Sequence, residues 1–199
     1  MHKDPEQIKA KILQAAMERF SKVGFQKTNV REIAQDCDMS PANLYRFFDG
    51  KDELGVAVVS RHIAQTQRIV NEVLALDGNA STKIKSFVGL ILEYNFEIFN
   101  RQPNIFELIQ FISQKKPELP RKHVMIKKNC LVEILVQGQL DQEIQTTTKV
   151  RSTGHLLFQA LRAYLLPFSL INSPVPLSEW KQEADDLIDL LFAGLSPSP

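Results

Sequence analysis

This chain is short of cysteine, of charge of one sign and of long apolar runs, and each shortage removes a class of protein. Its two cysteines, Cys37 and Cys130, lie far apart and show no ligand-like spacing. A disulfide framework and a zinc site are both disfavoured, and a reducing compartment is the default. No apolar run approaches the roughly 18 residues needed to cross a bilayer. The polar start MHKDPEQIKAK does not have the make-up of a secretion signal. A cytoplasmic protein without a membrane partner is expected, so the glycosylation triplet Asn79-Ala80-Ser81 is read as chance. The formal net charge is +1, and residues 1–51 carry nine Lys/Arg against seven Asp/Glu. That balance commits the chain to no polyanion, and any such affinity must come from a few placed cations. Catalytic signatures are missing too: GxxxxGK, GxGxxG, HExxH and GxSxG do not occur. Adjacent carboxylates such as Asp185-Asp186 point apart on a helix. Neither a metal, a cofactor nor enzymatic activity is expected.

What is present is helical periodicity. The 199 residues are 44% hydrophobic, ample for a core, and none of the segments alternates like a strand. A helix from about Pro5 to Val23 spaces Ile8, Ile12, Ala16 and Phe20 one turn apart, and Gly24 ends it. A long helix begins near Lys51 and runs to about Leu76, before the turn signal Asp77-Gly78-Asn79. Residues 81–101 are apolar most of the way round, as expected of a central helix. Pro103 starts a further helix to about Ser113. The two-proline loop Gln114–Pro120 leads into a helix over Leu119–Gln137 that Gly138 closes. Residues 147–170 form a long helix carrying Leu157, Leu161, Tyr164, Leu165 and Phe168. The proline-rich break Asn172–Ser178 ends in a capping serine before the last helix, and the tail Ser196–Pro199 is expected to fray.

The most informative stretch is Thr28–Lys51, TNVREIAQDCDMSPANLYRFFDGK. It reads as two short helices joined by a tight turn. The first runs from about Val30 to Cys37, capped by Asn29, and buries Ile33 and Ala34. Asp38-Met39 break the pattern. Ser40 then caps a second helix, Pro41–Phe47, that starts on proline and turns Leu44 and Phe48 to one side. Asn43, Tyr45 and Arg46 face other directions, the arrangement that lays a recognition helix in the DNA major groove.

Residues 8–54 resemble the N-terminal domain of the tetracycline-repressor (TetR) family of bacterial transcription regulators. The matching words are Ile12-Leu13-x-Ala15-Ala16, Phe20, Gly24-Phe25 and Thr28-x-Val30-Arg31-x-Ile33-Ala34. They continue with Ser40, Leu44-Tyr45, Phe48 and Lys51-x-x-Leu54. The departures are Pro41 after Ser40, Asn43 where a small residue is common, and Asp49-Gly50. They bear on which bases are read.

From the residues themselves, Asn43 can donate to and accept from adenine, and Arg46 can reach guanine or phosphate. Pro41 and Ala42 allow close approach and can touch a thymine methyl, while Tyr45 and Lys51 suit phosphate. The resemblance implies backbone contacts from Thr28, Arg31, Tyr45 and Lys51, with Ser40 among the DNA-binding positions. It also implies an all-α architecture of about nine helices. Residues 1–51 form the three-helix helix-turn-helix domain, and 52–199 form a larger domain for effector binding and dimerisation.

In the larger part, Asn95 interrupts an apolar stripe, and a bound ligand or a neighbouring helix must satisfy it. Tyr94, Phe96, Phe99, Phe106 and Phe111 are candidates to wall an aromatic cavity, or are plain core. His123 shares a face with Cys130, and His155 precedes Phe158 by three positions. A nucleophilic Cys130–His pair has no third orienting group. The cluster Lys115, Lys116, Arg121, Lys122, Lys127 and Lys128 reads as a solvated helix start. The resemblance places Leu161, Leu165, Trp180, Leu187 and Leu191 at a four-helix interface of a homodimer, although a lone chain can use those faces internally. The partners expected are a double-stranded, near-palindromic DNA operator and a small apolar or aromatic effector that releases a repressor. The alternative is a helical ligand-binding or scaffold protein that keeps the fold without binding DNA.

Overall fold

The computed structural model describes residues 4–102, 104–145, 147–166 and 173–195. Among them there are ten α-helices and no strand: α1 Pro5–Lys22, α2 Val30–Asp36, α3 Pro41–Leu44, α4 Lys51–Leu74, α5 Ala80–Arg101, α6 Ile105–Lys115, α7 Glu118–Leu140, α8 Val150–Ala160, α9 Arg162–Leu165 and α10 Leu177–Ala193. The all-α expectation holds. The chain forms two compact units, Met1–Ala64 with Asn100–Arg121, and Gln65–Phe99 with Lys122–Pro199. Compactness thus groups α6 and the first half of α4 with the N-terminal helices.

The first unit is built around Phe25. Its ring stands edge-on to Phe20 at 5.0 Å between centroids and tilts against Phe111 at 4.9 Å. Ile12, Ala16, Ile33, Leu44 and Leu54 of the same unit are fully buried, each large aliphatic side chain contributing about 1.5–3 kcal/mol on transfer from water. Gly24 has φ +96°, a left-handed value that favours glycine and turns the chain out of α1. The Asn104 amide donates to the carbonyls of Ser21 (2.8 Å) and Lys22 (3.2 Å), fastening the start of α6 to the end of α1. At Gly55 a β-carbon would lie 2.9 Å from Ile112 Cδ1 and 3.1 Å from Phe25, so α4 passes close to α6 there.

In the second unit one apolar cluster draws on α4, α5, α7, α8, α9 and α10, with Val73, Phe87, Ile91, Leu131, Leu157, Leu165 and Ile188 among its members. Two close approaches shape it. A β-carbon on Gly154 of α8 would lie 2.6 Å from a Val132 methyl and 3.3 Å from the Val132 backbone. One on Gly138 of α7 would lie 2.8 Å from the β-carbon of Ala80.

Several helix ends differ from the sequence expectation, each for a local reason. Gly138 does not close α7, which continues to Leu140; its missing side chain serves packing against Ala80. The 114–120 loop is shorter than expected, since α7 starts at Glu118 and Pro120 falls in its first turn, where no hydrogen bond is lost. The long helix from 147 begins at Val150 and breaks at Leu161 into α8 and α9, without losing apolar periodicity. The last helix starts at Leu177 after Pro176, so Ser178 lies inside it and is not its cap. The recognition helix is one turn, Pro41–Leu44, followed by tighter turns in which Arg46 and Phe47 donate to the carbonyls of Asn43 and Leu44. Pro103, Phe168, Asn172 and the tail Ser196–Pro199 lie outside the described residues.

Candidate nucleic-acid interface

The helix-turn-helix is locked by caps at both helices. At α2 the Asn29 side chain accepts from the Glu32 amide at 3.0 Å, and the Glu32 carboxylate accepts from the Asn29 amide at 2.9 Å. This reciprocal pair satisfies two otherwise orphaned donors. At α3 the Ser40 hydroxyl accepts from the Asn43 amide at 3.2 Å, and Pro41 occupies the first position. The turn between them needs a positive φ, supplied by Asp38 at +55°, a residue type that tolerates the left-handed region. Lys11 of α1 holds that turn, donating to the Cys37 carbonyl at 2.8 Å and to the Asp38 carboxylate at 3.1 Å.

A second clamp comes from Arg19 of α1. Its guanidinium grips the Asp36 carboxylate through two nitrogens and pairs with Glu32 at 3.6 Å. The hydrogen bond from Arg19 holds Asp36 below the usual carboxylate range. Sequence reasoning passed over Lys11, Arg19 and Asp36. The signal was available: cations on the polar face of α1, opposite acids in the neighbouring helix.

With Leu44 fully buried and Phe48 nearly so, the other side of α3 is presented outward. Ala42, Tyr45 and Arg46 are exposed, Tyr45 by 52%, and Pro41 and Asn43 are half-buried. Asn43 lines a shallow depression of about 360 Å³ with Lys11, Cys37, Asp38 and Met39. Arg31 on α2 and Ser40 are exposed as well.

Two of the expected phosphate contacts have another occupation. Thr28 is 2% exposed and its hydroxyl donates to the Gly24 carbonyl at 2.8 Å, so its proton is already used in closing the 24–28 loop. Lys51 donates to the carbonyls of Phe25 (3.0 Å) and Gln26 (3.2 Å), with its ammonium 4.7 Å above the Phe25 ring. One of its three donors remains for a ligand.

The candidate effector residues divide between the two compact units. Phe106 and Phe111 belong to the first unit. Phe111 packs on Phe25, with the Lys115 ammonium 4.5 Å above it. Tyr94, Asn95, Phe96, Phe99, His123, Cys130 and Phe158 belong to the second. There Cys130 and Phe158 are buried in the apolar cluster, and Asn95 is buried with no partner for its amide nitrogen. Burial pushes the Cys130 thiol up to about 12, the reverse of what a nucleophile needs, and His155 is exposed.

Two further corrections concern burial. Lys127, read as part of a solvated cluster, is fully buried and donates to the Leu165 carbonyl at 2.6 Å. Its spacing of three, four and seven residues to Cys130, Leu131 and Ile134 was the overlooked signal. Leu161 and Leu165 are fully buried within the chain's own core, so they offer no surface to a partner. Trp180, Leu187 and Leu191 are half-buried, and the exposed leucines of this region are Leu156 and Leu190.

Comparison with known proteins decides the family. Residues 12–58 match the family model for bacterial regulatory proteins of the tetR family. The HTH-type transcriptional regulator UidR of Escherichia coli is 34% identical over 165 residues, 79% of each chain. The chain belongs to the TetR family. This TetR-family chain is also similar, at 23% identity over 92% of its length and 93% of the relative's, to the fatty acid metabolism regulator protein of Bacillus subtilis. Among solved structures, a transcriptional regulator of Rhodococcus superposes with a TM-score of 0.71 at 17% identity, covering 99% of this chain and 100% of that one. The B. subtilis regulator FadR, solved with stearoyl-CoA, gives 0.60 at 18% identity over 94% and 98%. These two likenesses establish the fold. The TetR-family relatives are transcription regulators, and this chain is a DNA-binding transcription regulator of the same kind.

Proposed function

We propose that this regulator is a dimeric repressor, released from a near-palindromic operator by a small-molecule effector. The observation that carries the reading is the single turn of α3: Leu44 anchors it inward, while Tyr45 and Arg46 stand exposed and Asn43 half-exposed beside them. In this reading Asn43 and Arg46 meet base edges in the major groove, and Pro41 and Ala42 permit close approach. Tyr45, Arg31, Ser40 and the remaining Lys51 donor hold phosphate, which fixes register. Thr28 acts from beneath by holding the loop. One such turn buries too little surface for tight and selective binding, so two copies engage successive grooves roughly 34 Å apart.

Residues 52–199 supply dimerisation and effector binding in this reading. The stearoyl-CoA complex of FadR supports a small-molecule effector for a chain of this fold. An effector shifts the spacing of the recognition helices only as far as its affinity differs between the two states. The apolar residues left at the surface of α8 and α10, Leu156 and Leu190, with half-buried Leu187 and Leu191, support a homodimer through that face.

The test is footprinting of the DNA upstream of the regulator's own coding sequence, followed by titration of the protected duplex and a scrambled one. Arg46→Ala is expected to weaken binding to the protected duplex by about 1–3 kcal/mol and to leave the scrambled duplex little changed. If parent and variant bind both duplexes alike, the recognition assignment is wrong and the alternative of a fold kept without DNA reading stands.

A further inference from the structure

Two buried side chains of the second unit, Lys127 and Asn95, carry hydrogen-bond donors without acceptors among the described residues. Lys127 of α7 is fully buried, and among the described residues its ammonium has one partner, the Leu165 carbonyl at 2.6 Å. An ammonium has three donors, so two are unmatched. No Asp or Glu is found among the buried residues described, and no ion pair engages Lys127. Asn95 of α5 is 1% exposed, and its amide nitrogen has no hydrogen-bond partner. Both continue stripes of one apolar cluster: Asn95 follows Ile91 by a turn, and Lys127 precedes Leu131 by a turn. Capping the last carbonyls of α9 accounts for one donor of Lys127 and for nothing at Asn95. Unmatched donors and an uncompensated charge are costly to bury, so each one kept in a folded chain points to a further partner or a functional role.

We infer that Lys127 and Asn95 receive the anionic end, a carboxylate or a phosphate ester, of an effector whose remainder is apolar. The inference rests on the ligand-responsive reading above and names the chemical class of its ligand. An anion supplies the acceptors both side chains lack, and Ile91, Cys130, Leu131 and Phe158 of the same cluster suit an apolar body. Burial lowers the Lys127 ammonium to about 7, so near neutrality the arriving negative charge holds a proton that would otherwise be half lost. One turn before Lys127, His123 shares a 2.8 Å hydrogen bond with Thr66, itself buried, on α4. The occupied and empty states of the anion site therefore differ within one helical turn of a polar link to α4, the helix whose first residues follow the recognition segment.

The experiment titrates the full chain with decanoate, decyl phosphate and decanol by calorimetry, for the parent, Lys127→Met and Asn95→Leu. The parent is expected to bind at least one anionic probe about tenfold or more tightly than decanol, and the better of the two anions identifies the head group. Lys127→Met is expected to lose that preference while keeping decanol affinity and a cooperative melting transition. Asn95→Leu, expected to reduce the preference several-fold, carries the test should Lys127→Met fail to fold. Equal binding of charged and neutral probes, no binding of either anion up to about 1 mM, or a preference that survives both substitutions overturns the inference. Operator binding is measured on the same parent samples. Specific DNA binding without an anion preference sinks the inference alone, whereas loss of specific DNA binding sinks the regulator reading beneath it.

Discussion

Lys127 is the residue whose surroundings decide most about stability. Its ordinary value near 10.5 falls to about 7 through burial. Between those limits the unfolded chain binds a proton that the folded chain has released, so stability rises with pH across that window. Below about 7 both states are protonated and the full cost is present, on the order of 3–5 kcal/mol as an upper figure. Above about 10.5 both are neutral and the cost vanishes. Lys127→Met is therefore expected to stabilise the fold most at pH 6, less the roughly 1 kcal/mol of the lost Leu165 contact. The gain should shrink steadily toward pH 10. Urea denaturation at both ends of that range checks it, and a gain independent of pH would show that the lysine is charged and compensated when folded. The sequence offered Lys127 as one cation in a run of six. Charge clustering pointed outward while helical spacing pointed inward, and burial won because the methylene stem of a lysine packs against apolar surface.

At the scale of elements, the two helices of the DNA-reading corner depend on their caps more than on propensity, being seven and four residues long. Asn29→Ala removes half of a reciprocal pair and should cost about 1 kcal/mol of stability, read from the urea midpoint. No change in midpoint would mean that packing of Ile33 and Ala34 alone sets α2. The caps were legible because Asn29 and Ser40 each accept from a backbone amide only three residues along. What was illegible are features made by distant partners. Gly138 looks like a stop signal in isolation and proves to be the place where Ala80 approaches. Gly154 gives the sharper case: an alanine there must displace the Val132 backbone as well as a methyl. Gly154→Ala is expected to lower stability by about 1–3 kcal/mol through overpacking, and an unchanged melting temperature would show that α8 shifts freely. The break of α8 at Leu161 leaves no trace in the sequence because both sides keep the same apolar period.

For the molecule as a whole, the all-helical class and the DNA-reading segment were readable because each rests on local periodicity and short motifs. A proposed effector site is not legible in that way, since an apolar or aromatic residue at helical spacing has the same pattern in a core and in a binding site. Phe111 shows this, packing on Phe25 in the first unit. The dimer face suffered the same ambiguity: Leu161 and Leu165 turned inward, and Leu156 and Leu190, 65% and 72% exposed, were left outside. Leu190→Glu is expected to shift the proposed dimer toward monomer in sedimentation and to weaken binding to a two-half-site duplex more than to a single half-site. A dimer indifferent to that change would place the interface elsewhere.

The burial of both cysteines has a practical side. Cys37 is 3% and Cys130 1% exposed, and burial raises both thiols, so neither presents a reactive thiolate to a maleimide or a nitroxide reagent. A cysteine introduced at exposed Ala42 would then be the one that labels, with no need to strip the native pair and disturb two core positions. A spin label or fluorophore at that position would report the separation of two recognition helices directly, with and without an effector, in an otherwise unaltered chain.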